Sequence, residues 1–256
     1  IENNFRPIVF DNRDTGLSSR TNSEAFNSEN INNTVLRNYI RYYLRLPIRS
    51  EYTIDDMADD AISVLNELDI DQAHILGISM GGMIAQVMAL EHSDRVKSLT
   101  LFFTTPGFDT PGLSGPTESF KSAMKESFLL NLSGNEIDAL TVLEEALTGS
   151  RFPFNKNNFI EQAKIRLDQG INTSNAQTAA VGASPNRTSS LKNIYQPTLI
   201  IHGTEDPLIP VDHGIFLYNN IPNATKLILE GVGHEIPDEL LGEIIPLIRS
   251  HIISQT

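Results

Sequence analysis

The sequence predicts an α/β fold, a mostly parallel sheet flanked by helices, with a helical cap inserted between two of its strands. Three observations carry that expectation. Apolar β-runs alternate with helical periodicity from Thr53 to Phe103 and again from Pro197 to the C-terminus. Such alternation marks parallel strands joined by crossover helices. The stretch between them is Pro/Gly-rich from Thr105 to Pro116, then helical, then polar from Gly170 to Ser190. The run Ala73–Ile78 ends in Gly77-Ile78-Ser79-Met80-Gly81 and passes at once into a helix. The expected organisation is a first core segment at 1–103, a cap insertion at 104–190 and a second core segment at 191–256.

Length and composition bound the possibilities. At 256 residues and 40% apolar, the chain can build one sizeable core. Its 19 basic against 32 acidic residues give a net charge of −13, which disfavours nucleic acid and anionic membranes as partners. The absence of cysteine excludes disulfides, thiolate metal sites and a cysteine nucleophile. No membrane span is expected, because no apolar run reaches about 18 residues. No signal peptide is visible, so the expected location is cytoplasmic.

Taken in order, Arg6–Phe10 has β character and leads into Asp11-Asn12-Arg13-Asp14-Thr15-Gly16-Leu17-Ser18-Ser19. Turn formers cluster there because their side chains bond local backbone, and Arg13 with its flanking carboxylates is expected to tie the loop down. Val35, Leu36, Tyr39, Ile40, Tyr43 and Leu44 recur near helical spacing. Arg37, Arg41, Arg45 and Arg49 make a basic face, either solvated or part of a site rim. Thr53 is a candidate N-cap with Asp56 closing a capping box. Ile54, Met57, Ala58, Ala61, Ile62, Leu65 and Leu68 mark the buried face of that helix. Asp55, Asp56, Asp59 and Asp60 are explained by the positive end of the helix dipole better than by a metal. After the strand to Ile78, an amphipathic helix spans Met80 to Glu91, with Met80, Met83, Ile84, Val87 and Met88 inward. Val96 to Phe103 is the next strand.

Cap helices are expected near 117–132, 135–148 and 155–169. Their apolar positions Phe120, Met124, Phe128 and Leu129 are suited to covering a substrate. The second core segment should contain a strand at Pro197–Gly203, a helix at 211–220, a strand at Ala224–Leu229 and a helix at 238–252.

Gly-x-Ser-x-Gly between strand and helix has the form of a nucleophile elbow. The turn is expected to be so tight that only glycine fits two residues to either side of Ser79. The hydroxyl would stand at the positive end of the helix, with the Met80 N–H facing a developing oxyanion. A nucleophile of this kind needs a base and a group that orients the base. Of the six histidines, His74, His92, His213 and His251 fall at the wrong end of a strand or in helices. His202 ends a strand and is expected to help its turn. His234 follows a strand end in Gly231-Val232-Gly233-His234 and is the candidate base. Asp206, in Thr204-Glu205-Asp206-Pro207, is the candidate acid, with Glu205 as its rival. Ser79…Asp206…His234 is the chain order of one triad type.

On these residues the chain resembles the α/β-hydrolase superfamily, and within it bacterial esterase-like proteins related to aclacinomycin methylesterase. The matching pieces are Phe10–Gly16, Tyr52–Ala58, Gly77–Gly82, Ala183–Arg187, His202–Pro207 and Gly231–His234. The resemblance implies Ser79 as nucleophile, His234 as base and Asp206 as orienting acid. It implies hydrolysis of a carboxylic ester of a small molecule through an acyl-enzyme, with no metal and no organic cofactor. Carbon–carbon bond hydrolysis or cofactor-free perhydrolysis on the same residues is the alternative, and a non-catalytic ligand-binding protein is a third. The superfamily also places further strands and a His-Gly loop, which completes the oxyanion hole, ahead of the Asp11–Ser19 turn. A segment preceding Ile1 is therefore expected.

Overall fold

Two of the apolar runs are buried almost throughout, as strands inside a parallel sheet must be. The structure, a computed structural model, describes residues 5–21, 37, 38, 41, 44, 46–169 and 175–254. It contains β1 (Ala73–Ile78), β2 (Val96–Phe102), β3 (Thr198–Gly203) and β4 (Ala224–Leu229). They form one parallel sheet in the order β1-β2-β3-β4. All of β3, and all of β2 but Lys97, is buried. The register aligns Ile78 with Phe102, Phe102 with Ile201, and Gly203 with Leu229, so the four C-terminal ends share one edge.

The chain divides into two compact units, residues 70–165 with 186–256, and residues 1–69 with 166–185. In the larger unit, α2 (Met80–Glu91) links β1 to β2, and α7 (Val211–Asn220) links β3 to β4. The helix α8 (Asp238–Ile253) closes it. Its core gathers Phe102, Phe103, Leu199, Ile201, Leu229, Val232, Leu240 and Ile244. Every residue of α2 from Gly82 to Ala89 is buried. The helix is therefore buried all round, Gln86 included, rather than amphipathic, and Met80 at its start is only half-buried. Between β2 and β3 come α3 (Glu118–Leu132), α4 (Glu136–Leu147) and α5 (Lys156–Asp168), within a residue or two of expectation. The N-cap of α3 is Thr117, whose hydroxyl accepts from Phe120 N–H. Phe120 is buried, whereas Met124, Phe128 and Leu129 are about half exposed, at 50%, 49% and 55%.

In the smaller unit, Thr53 caps α1 (Ile54–Glu67) with a complete capping box. Its hydroxyl accepts from Asp56 N–H, and the Asp56 carboxylate accepts from Thr53 N–H at 2.7 Å. Ile54, Met57, Ala58, Ala61, Ile62 and Leu65 are buried as expected. Leu68 is not: it is the C-cap, 40% exposed, where the helical periodicity no longer applies. Arg13 grips Asp60 through two nitrogens at 2.6 and 2.7 Å. Asp14 accepts from the Tyr52 hydroxyl at 2.6 Å and the Thr21 hydroxyl at 2.7 Å. The Asp11–Ser19 loop is thus tied down through Arg13 and its neighbouring carboxylates.

Residues 6–10 form no strand, and Val9 is 91% exposed. The run is not paired with any strand of the sheet, and an isolated strand is not stable in water. Conversely, the polar stretch after Gly170 contains α6 (Asn175–Ala183), whose Gln177 donates to the Arg13 carbonyl. Most of the helix expected around Val35–Leu44, with Arg45, and the start of the Gly170–Ser190 stretch lie outside the described residues. Among the described residues, no helix is long and apolar enough to cross a membrane.

Candidate active site

Ser79 occupies the N-cap of α2 with φ 54° and ψ −116°. That conformation is sparsely populated for a non-glycine residue and costs about 1–3 kcal/mol. A serine at this position ordinarily bonds the helix's free N–H groups, but the Ser79 side chain makes no such bond. The Ser79 backbone is held instead. Its N–H donates to Phe102 O at 2.9 Å, and its carbonyl accepts from Gly82 N–H at 2.9 Å and the Thr104 hydroxyl at 2.8 Å. Met80 N–H is the first of the helical N–H groups that have no acceptor within the helix.

The glycines of the turn are not equivalent. A Cβ at Gly77 would lie 2.2 Å from Gly81 O, so glycine is required there. A Cβ at Gly81 meets nothing within 4 Å. The expectation that both flanking glycines are sterically required therefore holds only for Gly77, because the helix carries position 81 away from the strand. Gly82 is the second tight position, where a Cβ would lie 2.6 Å from Thr104.

The loop after β3 carries Asp206. Its Oδ1 accepts from Leu208 N–H at 3.0 Å and Ile209 N–H at 2.8 Å, and its Oδ2 lies 2.6 Å from His234 Nδ1. His202 Nε2 donates to Ile209 O at 2.7 Å and lies 3.4 Å from the same Oδ2. Burial pushes the Asp206 carboxyl up, but the His202 and His234 hydrogen bonds outweigh it and hold the group below the ordinary carboxylate range. With Asp206 ionised, His234 Nδ1 is the protonated nitrogen and Nε2 is left as the acceptor.

Of the two carboxylates considered, Asp206 is the one that reaches His234. Glu205 is engaged elsewhere: its two oxygens accept from Ser150 N–H at 2.7 Å and the Ser150 hydroxyl at 2.8 Å. Three other histidines bond framework groups away from the dyad. Nε2 of His251 bonds Leu99 O, and Nδ1 of His74 pairs with the Ser98 hydroxyl. His213 bridges Thr105 and Ser114, and burial pushes its imidazole down.

Ser79, Asp206 and His234 thus all follow strand ends on one edge of the sheet. Asp206 and His234 are hydrogen-bonded, whereas Ser79 and His234 are not. Such nucleophile–base contacts often close only around substrate. Phe103, one residue beyond the strand end that holds Ser79, packs its ring 5.6 Å from the His234 ring and 5.9 Å from the His202 ring. It too has a positive φ, 45°, which no sequence signal announces.

Comparisons with known proteins bear on the family and the fold. A family model for the alpha/beta hydrolase fold matches residues 2–239. The chain is 26% identical over 269 residues to rhodomycin D methylesterase DauP of Streptomyces sp. (strain C5), across 97% of this chain and 82% of that one. It is 32% identical over 174 residues to the 2-hydroxy-6-oxononadienedioate/2-hydroxy-6-oxononatrienedioate hydrolase of Cupriavidus pinatubonensis (strain JMP 134 / LMG 1197), across 67% of this chain and 58% of that one. Among solved structures, Est816, described as an N-acyl homoserine lactone degrading enzyme, superposes with a TM-score of 0.57 at 28% identity, covering 78% of this chain and 75% of that one. With a parallel sheet, a strained serine at a strand–helix turn and a family match over nearly its whole length, the chain belongs to the alpha/beta hydrolase fold family and is a hydrolase.

Proposed function

We propose that the protein cleaves a carboxylic ester of a small molecule through Ser79, His234 and Asp206. The observation that carries this reading is the 2.6 Å bond from Asp206 to His234 Nδ1, at the same sheet edge as a strained serine whose hydroxyl does not cap its helix. His234 Nε2 takes the Ser79 hydroxyl proton as Oγ attacks the ester carbonyl. The carbonyl oxygen becomes an oxyanion facing Met80 N–H, at the positive end of α2. His234 then gives its proton to the departing alkoxide, which leaves as the alcohol. Water, deprotonated by His234, attacks the acyl-Ser79 carbonyl and releases the acid. Asp206 stays ionised throughout and steadies the imidazolium. No step calls on a metal or organic cofactor.

The insertion between β2 and β3 is read as the substrate cap, residues 104–190. Within the larger unit, its α3 and α4 are anchored at the site. Thr117 N–H donates to Pro207 O at 2.9 Å, and His234 N–H donates to Leu147 O at 2.8 Å. The esterase reading follows the relatives matched over most of their length, which are named methylesterases. The second reading, carbon–carbon bond hydrolysis, rests on the relatives named for oxo-dienedioate hydrolysis.

The test is labelling by a fluorophosphonate probe, followed by mass spectrometry of the modified peptide. Label on Ser79, lost in Ser79→Ala, supports the reading. Absence of label on folded protein overturns it. A panel of aryl and methyl esters against vinylogous diketones then separates the two bond types.

A further inference from the structure

The backbone that carries His234 is not held by the sheet alone. Apart from the Asp206–His234 side-chain bond, direct ties between the loop after β3 and the end of β4 with its loop run Thr204 N–H to Leu229 O and Glu205 N–H to Val232 O, both at 3.0 Å, and Gly231 N–H to the Thr204 hydroxyl at 2.9 Å. They stop at Val232, two residues short of the imidazole. Beyond it the holding element is Leu147–Arg151, the last residue of α4 with the first half of its connection to α5. Leu147 O accepts from His234 N–H at 2.8 Å, and Arg151 N–H donates to Gly231 O at 2.8 Å. Gly149 N–H donates to Glu235 Oε1 at 3.0 Å. Ser150 donates through both its N–H and its hydroxyl to Glu205. The backbones meet so closely that a Cβ on Gly149 would lie 2.3 Å from Gly231 O.

We propose that Leu147–Arg151 is a strap that positions His234, and that Glu205 and Glu235 are the positioning residues acting through it. Each carboxylate is the chain neighbour of a member of the dyad: Glu205 precedes Asp206, and Glu235 follows His234. Each holds the strap from one side. The two Ser150–Glu205 bonds therefore fix the strap against the acid loop, the Gly149–Glu235 bond fixes it against the base loop, and Leu147 O passes that register to the His234 backbone. The inference deepens the Ser79–His234–Asp206 reading and rests on it for its kinetic consequence. A displacement of about 1 Å at a catalytic group costs up to about 100-fold in rate. The strap is also the link between two cap helices, so a shift of α4 or α5 is transmitted to the base.

The experiment compares Glu205→Gln, Ser150→Ala, their double variant and Glu235→Gln with the wild type. Three readouts are used: steady-state kinetics on a p-nitrophenyl ester, thermal melting, and the far-downfield proton resonance of His234 Nδ1–H. The expected result is a fall in kcat of about 10- to 100-fold with little change in KM. The double variant should fall by less than the product of the two single falls, because Ser150→Ala and Glu205→Gln act on the same pair and Ser150→Ala removes only its hydroxyl bond. The Nδ1 resonance should broaden or move upfield in each variant. A lower melting temperature with unchanged kcat and resonance means that the strap is only structural, and overturns the proposal. Failure of the catalytic reading is distinct: it appears as wild-type protein without Ser79-dependent labelling or turnover. The resonance still decides in that case whether the strap positions the imidazole.

Discussion

Asp206→Asn reverses the bond to His234, gives up the longer contact to His202 Nε2 and leaves the two backbone bonds in place. Oδ1 of Asp206 is held by the N–H groups of Leu208 and Ile209. Those donors require an oxygen, so the amide nitrogen of the substituted side chain must take the Oδ2 position, 2.6 Å from His234 Nδ1. An NH₂ group there is a donor, and Nδ1 must become the acceptor. The proton then resides on Nε2, the nitrogen that has to receive the Ser79 proton. A base in the wrong tautomer lowers kcat by about 10⁴, which is about 5 kcal/mol of barrier. Shape and volume are nearly conserved, so the fold should persist. The assay is kcat on an activated ester, with near-ultraviolet circular dichroism to show native packing. Retention of more than about a tenth of the wild-type kcat by a folded Asp206→Asn variant would refute the assigned role. A loss of about 10⁴ in Glu205→Gln would show that the wrong carboxylate has been assigned, since Glu205 holds Ser150 and should cost far less.

Gly77→Ala should prevent folding or cost several kcal/mol, because the Cβ has only 2.2 Å to Gly81 O, whereas Gly81→Ala should be neutral or stabilise by up to about 1 kcal/mol; paired denaturant titrations compare them. Ser79→Gly should raise stability by about 1–2 kcal/mol by relieving the φ of 54° while abolishing probe labelling, and a destabilised variant would contradict the assigned strain. Asp14→Asn should cost about 1–3 kcal/mol at neutral pH, because Asp14 accepts from Tyr52 and Thr21. Burial raises the Asp14 carboxyl, but the Thr21 and Tyr52 bonds and Arg20 bring it below its ordinary value of 3.8. Its contribution is therefore present above that value and is lost as pH falls through the lower, folded one. Urea midpoints of wild type and variant should converge on acidification, and a gap that widens would reverse the sign.

Elements whose residues are neighbours in the chain were legible. The β-runs at 73–78 and 224–229 and the helix at 211–220 are found as expected, because period and punctuation are local. Ser79, Asp206 and His234 stand out in the sequence because each lies in the turn or loop that follows a strand end, and parallel strands bring such positions to one edge. Where burial on both faces removes the period, the pattern fails. The helix Met80–Glu91 has no polar side for periodicity to show, and it reads as amphipathic only if its small residues are left out. α6 was illegible for the opposite reason, since its Asn, Gln, Thr and Gly content resembles a loop and only its long-range bond to Arg13 shows what holds it.

The contacts that set the geometry of the dyad are of this second kind. Glu205 rivals Asp206 as the acid in the sequence because it stands beside it, and a one-residue choice between two carboxylates has no local answer. The answer comes from Ser150, which is 55 residues away in the chain. Glu235 carries no sequence signal at all. Its role depends on Gly149, 86 residues distant, meeting it at 3.0 Å. Burial pushes its carboxyl up even as the N–H groups of Gly149, Gly233 and Glu235 itself draw it back. A buried carboxylate beside a base is costly, and a fold retains it where the bond that it makes is needed. Here that bond holds the one segment whose carbonyl anchors the His234 backbone. Which residues are candidates for the chemistry is therefore a matter of strand ends and can be read along the chain. How accurately they are held is decided by an insertion that returns to the sheet edge from far away in sequence.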